Sequence, residues 1–332
     1  MGYVRDFEYE NELIERFQKR APKKIFDAHF HLSKGELDVP DSEVLDEFAR
    51  RTNKVVGDGV VHGGLLMGNP NRFETKEQFD AERLFACQLT ENREGFVTAL
   101  LVRPQDGPEE TEEWLKKYPR IVALKPYKNY APCDKLASYE VDILDFAPEW
   151  MWELAEKWNI SVVLHLSHYT HMLNDPKNGE QIRYICKKYP KATMVLAHCA
   201  MAHHPDKFKS GLHYLEGLDN VWMDCSGISD PLSIIYALKY MGTKKIMYGS
   251  DGWNFGQSLG RIVPSGGNFF AVHPEYTPDF VLPPDYKLMV LPNVVEGLYA
   301  LYAGGDVVEL TREDWNDIFW NNAERLYLNA IR

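Results

Sequence analysis

Eight short apolar runs, rich in β-branched residues and separated by helix-patterned sequence, constrain this chain more than any other feature. They cover residues 25–32, 60–67, 95–102, 121–127, 160–166, 192–197, 220–225 and 245–249, recurring about every 31 residues. That interval holds a strand, a helix and two loops, the rhythm of a parallel sheet. Runs such as Ser161-Val162-Val163-Leu164 are apolar throughout, as strands covered on both faces are. Eight such units predict an α/β chain folded as a closed (β/α)8 TIM barrel. A doubly wound open sheet would announce a glycine-rich phosphate loop after its first strand, and here the first run ends in histidines.

The length of 332 residues suits one barrel domain with insertions, spanning 1–332. Connecting helices are expected over 77–91, 148–158, 179–189 and 230–240, after a charged helical lead-in over 8–20 and before a closing helix over 312–327. Residues 252–292, rich in glycine, proline and aromatics, break the pattern after the eighth strand. So long a loop at the C-terminal face of a barrel is expected to be a lid or pocket wall.

A net charge of −12 without clustered lysine and arginine argues against nucleic acid as a partner. The five cysteines, Cys87, Cys133, Cys186, Cys199 and Cys225, are scattered and odd in number, and read as reduced thiols. The N-terminus lacks a signal-peptide core and no run of eighteen apolar residues occurs, so a cytoplasmic protein without a membrane partner is expected. Aromatic residues in the insertion suggest a homo-oligomer.

The chemistry begins at His29-Phe30-His31. Residues two apart on a strand share a face, so both histidines point at the barrel axis and can share a cation. Later strand ends carry Lys125, His165, His198 and Asp251, each closing an apolar run in which an unpaired polar group costs roughly 2–7 kcal/mol. Such groups must satisfy one another or a shared metal, and the metal is the more economical explanation. Arg103, Lys128 and Arg261 fall toward the same face and suit an anionic substrate. His168, His171, His203 and His204 read as solvated loop residues, and His62 as a core histidine. Trp253, Phe255, Phe269, Phe270 and Tyr276 read mainly as anchors of the long insertion.

In this order, Asp27-Ala28-His29-Phe30-His31, Lys125, His165, His198 and Gly249-Ser250-Asp251 resemble the amidohydrolase superfamily. The closing segment Asn321-Asn322-Ala323-Glu324-Arg325-Leu326 is similar to its amidohydrolase-related (amidohydrolase 2) branch of hydrolases and decarboxylases. The resemblance implies a metal-dependent TIM-barrel enzyme in which His29, His31, His165 and Asp251 bind a divalent ion, zinc foremost. Such an ion lowers the pKa of its bound water to about 7. His198 would meet the nucleophile or a second metal, and Asp251 would carry the proton to the leaving group. In binuclear relatives the strand-four lysine is carbamylated and bridges two ions. Here Pro126 follows Lys125 directly, which favours one ion and a free ammonium that binds substrate together with Arg103 and Arg261. The function implied is hydrolysis of an amide, ester or lactone in a small carboxylated substrate. Non-oxidative decarboxylation of an aromatic or unsaturated acid is the alternative, and a silent scaffold barrel is disfavoured because every ligand position is filled.

Overall fold

Every one of the eight apolar runs forms a strand, and each strand hydrogen-bonds to the next. The fold is given by a computed structural model that describes residues 2–57, 59–71, 73–131, 141–166, 172–252, 254–266, 268–272 and 287–332. The barrel strands are β1 (Ile25–His31), β2 (Val61–Met67), β3 (Phe96–Val102), β4 (Ile121–Pro126), β5 (Ser161–Leu164), β6 (Thr193–Leu196), β7 (Val221–Asp224) and β8 (Ile246–Met247). All neighbours are parallel and follow chain order. The end of β8 returns to β1: Ala28 N–H donates to Tyr248 O at 2.8 Å, Asp251 N–H to His29 O at 2.8 Å, and Phe30 bridges to Gly252. These bonds remove the sheet edges.

Two apolar layers follow from the alternation of side chains along each strand. Phe26, Ala28, Met67, Ala99, Val163, Val195 and Met247 form the interior cluster. Tyr327 plugs it from the closing segment, stacked on Phe26 at 6.0 Å. Val162, Leu164, Met194 and Leu196 face the other way, into the larger core beneath the helices. Helices Lys76–Glu91, Glu149–Trp158, Pro176–Lys188 and Pro231–Met241 lie where the periodicity predicts them. The Thr75 capping box, in which Thr75 and Gln78 satisfy each other's backbone N–H, sets the start of the first of these.

The lead-in helix spans Phe7–Arg20. Before it, Gly2–Arg5 pairs in parallel with Lys287–Val290, an element the charged N-terminus does not announce. The described part of 252–292 is not structureless: Arg261–Ser265 and Asn268–Val272 form an antiparallel hairpin. Trp253, Tyr276, His168, His171 and Cys133 lie outside the described residues. The other four cysteines are free and buried. Among the described residues no helix is long and apolar enough to cross a membrane.

Candidate metal centre

A bulge on the first strand aims the histidines. Between Asp27 and Phe30, β1 advances three residues while β2 advances two, from Gly64 to Leu66. The extra residue shifts the alternation, as bulges beside functional sites commonly do. Phe26 and Ala28 therefore point inward below, and His29 and His31 point inward at the rim. Phe30 turns out to stack on Phe48 at 4.1 Å. Gly249 makes room for this arrangement, since a Cβ there would lie 2.8 Å from His29 Cβ. Gly249→Ala should destabilise the protein by about 1–3 kcal/mol through overpacking. Thermal melting checks this, and an unchanged melting temperature would mean that the contact relaxes freely.

Hydrogen bonds set the tautomers. His29 Nδ1 lies 3.0 Å from Asp224 Oδ2, and His31 Nδ1 lies 3.0 Å from Gly68 O. His198 Nδ1 lies 3.0 Å from Ser226 O. A carbonyl or a carboxylate only accepts, so each Nδ1 carries the proton and each Nε2 presents a bare lone pair. The Nε2 atoms of His29 and His31 face each other at 3.2 Å, with Asp251 Oδ1 at 3.6 and 3.8 Å from them. His29, His198 and Asp251 offer ligand atoms within 4.8 Å of one another. Burial, with neighbouring positive groups, pushes His29 down to about 4 and His31 to about 3, so neither relieves the repulsion by protonating at neutral pH. Lone pairs and a carboxylate aimed at one space fit a small divalent cation, whose bonds to such donors are about 2 Å long.

His165 stands beside this group, its ring 5.1 Å from that of His198 and 4.9 Å from that of Tyr127. Its Nε2 is buried without a hydrogen-bond partner among the described residues. Lys125 is fully buried, its Nζ also without a hydrogen-bond partner among the described residues and 5.6 Å from the Tyr127 ring centroid. Burial lowers it to about 8 against the pull of Asp224 and Asp251. His198, expected to meet the nucleophile or a second metal, thus offers a ligand atom within 4.8 Å of His29 and Asp251, and His165 sits one ring away.

Asp224 is the residue that sequence reasoning missed. It ends β7 inside an apolar run, the same signal that singled out His165. Burial opposes its ionisation, yet His29, His198 and Ser226 hold it well below the usual carboxylate range. One oxygen orients His29, and the other accepts from the backbone N–H of His198 and of Ser226, at 3.2 and 3.1 Å. Asp224→Asn should weaken divalent-metal affinity about 10–100-fold, the usual cost of losing a ligand's outer partner. Titration against a competing chelator measures it, and an unchanged constant would remove Asp224 from the site.

Strain accompanies these positions. His198, Cys199, Ala200 and Met201 all adopt left-handed backbone, with φ between 47° and 59°, and so does Asp251 at 54°. Four consecutive non-glycine residues of this kind cost roughly 1–2 kcal/mol each, the sort of local strain that collects at functional sites. The turn carries the chain abruptly from β6 and leaves His198 and Met201 on the wall of a cavity of about 330 Å³. His29, His31, His165, Asp251, Asn69 and His203 supply its polar lining, and Tyr127, Phe255, Ile262 and Phe269 are among its other walls.

Several expectations change on this geometry. Arg103 does not line the cavity: it pairs with Asp106 at 2.8 and 3.1 Å and covers Phe79 at 3.9 Å. Lys128 is half-buried and also absent from the lining. Arg261 begins the hairpin strand, with its side chain outside what the structure describes. His203 and His204 are buried rather than solvated, because the hairpin covers them: His203 packs on Phe269 at 5.0 Å and His204 Nε2 meets Gly266 O at 2.8 Å. His62 is exposed, not in the core, and lies edge-on to Trp320.

A parallel barrel with histidines and a carboxylate converging at the C-terminal ends of its strands defines a class of metal-assisted enzymes. The amidohydrolase family model matches residues 26–328, and the chain belongs to that family of metal-dependent enzymes. No curated protein sequence matches it. Among solved structures it is similar to 4-oxalomesaconate hydratase from Rhodopseudomonas palustris, at 16% identity and TM-score 0.58, covering 92% of this chain and 97% of that one. It is also similar to an amidohydrolase from Burkholderia multivorans with bound zinc, at 12% identity, TM-score 0.57 and coverage of 92% and 99%. A third is a dihydroxybenzoic acid decarboxylase from Polaromonas with bound manganese and the inhibitor 2-nitroresorcinol, at 14%, 0.52, and 93% and 97%. At these identities the likeness speaks for the fold.

Proposed function

We propose that the protein is a hydrolase that cleaves an amide, ester or lactone bond of a small carboxylated substrate with the help of one divalent ion, zinc foremost. The observation that carries this reading is the convergence of proton-free Nε2 atoms and Asp251 on one space at the cavity floor. His29, His31 and Asp251 would hold the ion, with His165, whose buried Nε2 has no other partner among the described residues, completing the set. When bound, the ion polarises a carbonyl and acidifies water.

Asp251 then accepts the proton of the attacking water and passes it to the leaving group. His198, its Nδ1–H anchored on Ser226 O, keeps Nε2 toward the cavity as an acceptor for that water. Asp224 holds the His29 ring in place. Burial lowers Lys125 to about 8, and its fully buried side chain is not among the cavity walls, so in this reading it acts on an anionic substrate through its charge rather than by contact. Phe255, Ile262 and Phe269 wall the cavity from the segment after β8.

Decarboxylation of an aromatic or unsaturated acid is the second reading, favoured by the Tyr127, Phe255 and Phe269 walls, which suit a planar ring. Metal-loaded protein should be screened against carboxylated lactones, esters and amides and against hydroxybenzoates, in water enriched in oxygen-18. Label in the product marks the hydrolase. Carbon dioxide release without label would replace that reading with the second.

A further inference from the structure

Asn69 lines the cavity beside His31, whose Nδ1–H binds the carbonyl of the preceding residue, Gly68, and its amide is held in one orientation by groups that admit no other. Asn69 Nδ2 lies 2.7 Å from Ser33 Oγ and 2.8 Å from Glu36 Oε1. The Ser33 hydroxyl gives its own proton to Glu82 Oε1 at 2.6 Å, so toward Asn69 it can only accept. The Glu36 carboxylate only accepts as well, and it is fixed by the Ser33 backbone N–H at 2.7 Å. Both neighbours demand a donor, so the NH2 of Asn69 must face them. A flipped amide would set its oxygen against a carboxylate and a hydroxyl with no proton to spare. The backbone is pinned too, since Asn69 N–H donates to Glu82 Oε1 at 2.8 Å.

This network joins the loop after β1, the loop after β2 and the helix Lys76–Glu91, and it consumes both amide protons. The remaining atom, Oδ1, makes no hydrogen bond with any described residue. It is left for whatever fills the cavity.

We propose that Asn69 determines specificity as a locked acceptor: its Oδ1 receives a hydrogen bond from a hydroxyl of the substrate and rejects an oxygen that carries no proton at that position. The substrate is therefore a hydroxylated small molecule. This inference rests on the cavity being the substrate site of the metal-assisted reaction proposed above.

Each of the three monohydroxybenzoates, paired with the monofluorobenzoate of the same pattern, serves as a rigid probe of the zinc-loaded protein by titration calorimetry. One net hydrogen bond corresponds to a roughly threefold to tenfold affinity ratio. In the wild type at least one hydroxy isomer should bind tighter than its fluoro partner by that ratio. Asn69→Ala should bring the ratio to about one, and so should the double variant Ser33→Ala/Glu36→Gln, which keeps Asn69 but frees its amide to flip. Thermal melting identifies the folded variants, and the ratio is read within each. A ratio that survives in both variants, or is absent from the wild type, overturns the proposal while leaving the metal reading intact. Failure of every benzoate to bind, with metal or without, overturns the cavity's assignment and this proposal with it.

Discussion

Asp251→Asn is expected to lower turnover about 10²–10⁴-fold, the range over which a positioned acid–base group acts. Asparagine keeps the shape of the side chain but cannot take a proton from water. The backbone geometry does not depend on the carboxylate: Asp251 N–H donates to His29 O at 2.8 Å, and Gly256 N–H to Asp251 O at 3.0 Å. The left-handed φ of 54° is one that asparagine tolerates as well as aspartate. Rates measured on the substrate found in the screen, beside elemental analysis of the same samples, separate proton transfer from metal loss. A variant that keeps its metal and most of its turnover would strip Asp251 of the role assigned to it.

His29→Ala should have the larger effect on metal content. His29 meets His31 at 3.2 Å, Asp251 at 3.6 Å and Asp224 at 3.0 Å, so its removal takes away a donor and leaves Asp224 buried without its principal partner. Loss of affinity should exceed the roughly 10–100-fold that disruption of a ligand's outer partner causes. Elemental analysis after loading and dialysis should find about one divalent ion in the wild type and almost none in the variant. A wild type that retains no metal would end the mechanism proposed here. Two equivalents would replace the single ion with a pair bridged through a carbamylated Lys125.

The barrel was legible because its signals are local. Each of the eight strands is an apolar run of its own; because a run such as Val162, Val163 and Leu164 is apolar at every position, only the structure says that Val163 enters the barrel while its neighbours face the helices. His165, His198 and Asp251 stood out because a polar group at the end of such a run needs a partner. Asp224 sends the same signal at the end of β7, yet its role as the brace of His29 depends on a neighbour 195 residues away in sequence. Arg103 shows the converse: its position after β3 suggested a substrate contact, and a carboxylate three residues on, Asp106, captures it instead.

What the sequence by itself determined was the architecture, which repeat spacing carries, and that His29, His31, His165, His198 and Asp251 meet at one end of the barrel, where all five line one cavity. Only the tertiary structure decided how that cluster is presented. The bulge at His29 arises from pairing with β2, the left-handed turn after His198 from the path the chain takes out of β6, and the burial of His203 from a hairpin more than fifty residues later. The orientation of the Asn69 amide is decided by two acceptors in the loop after β1, Ser33 and Glu36, with Glu82 from the helix Lys76–Glu91 fixing the Ser33 hydroxyl. These are contacts between segments distant along the chain, and no local periodicity encodes them.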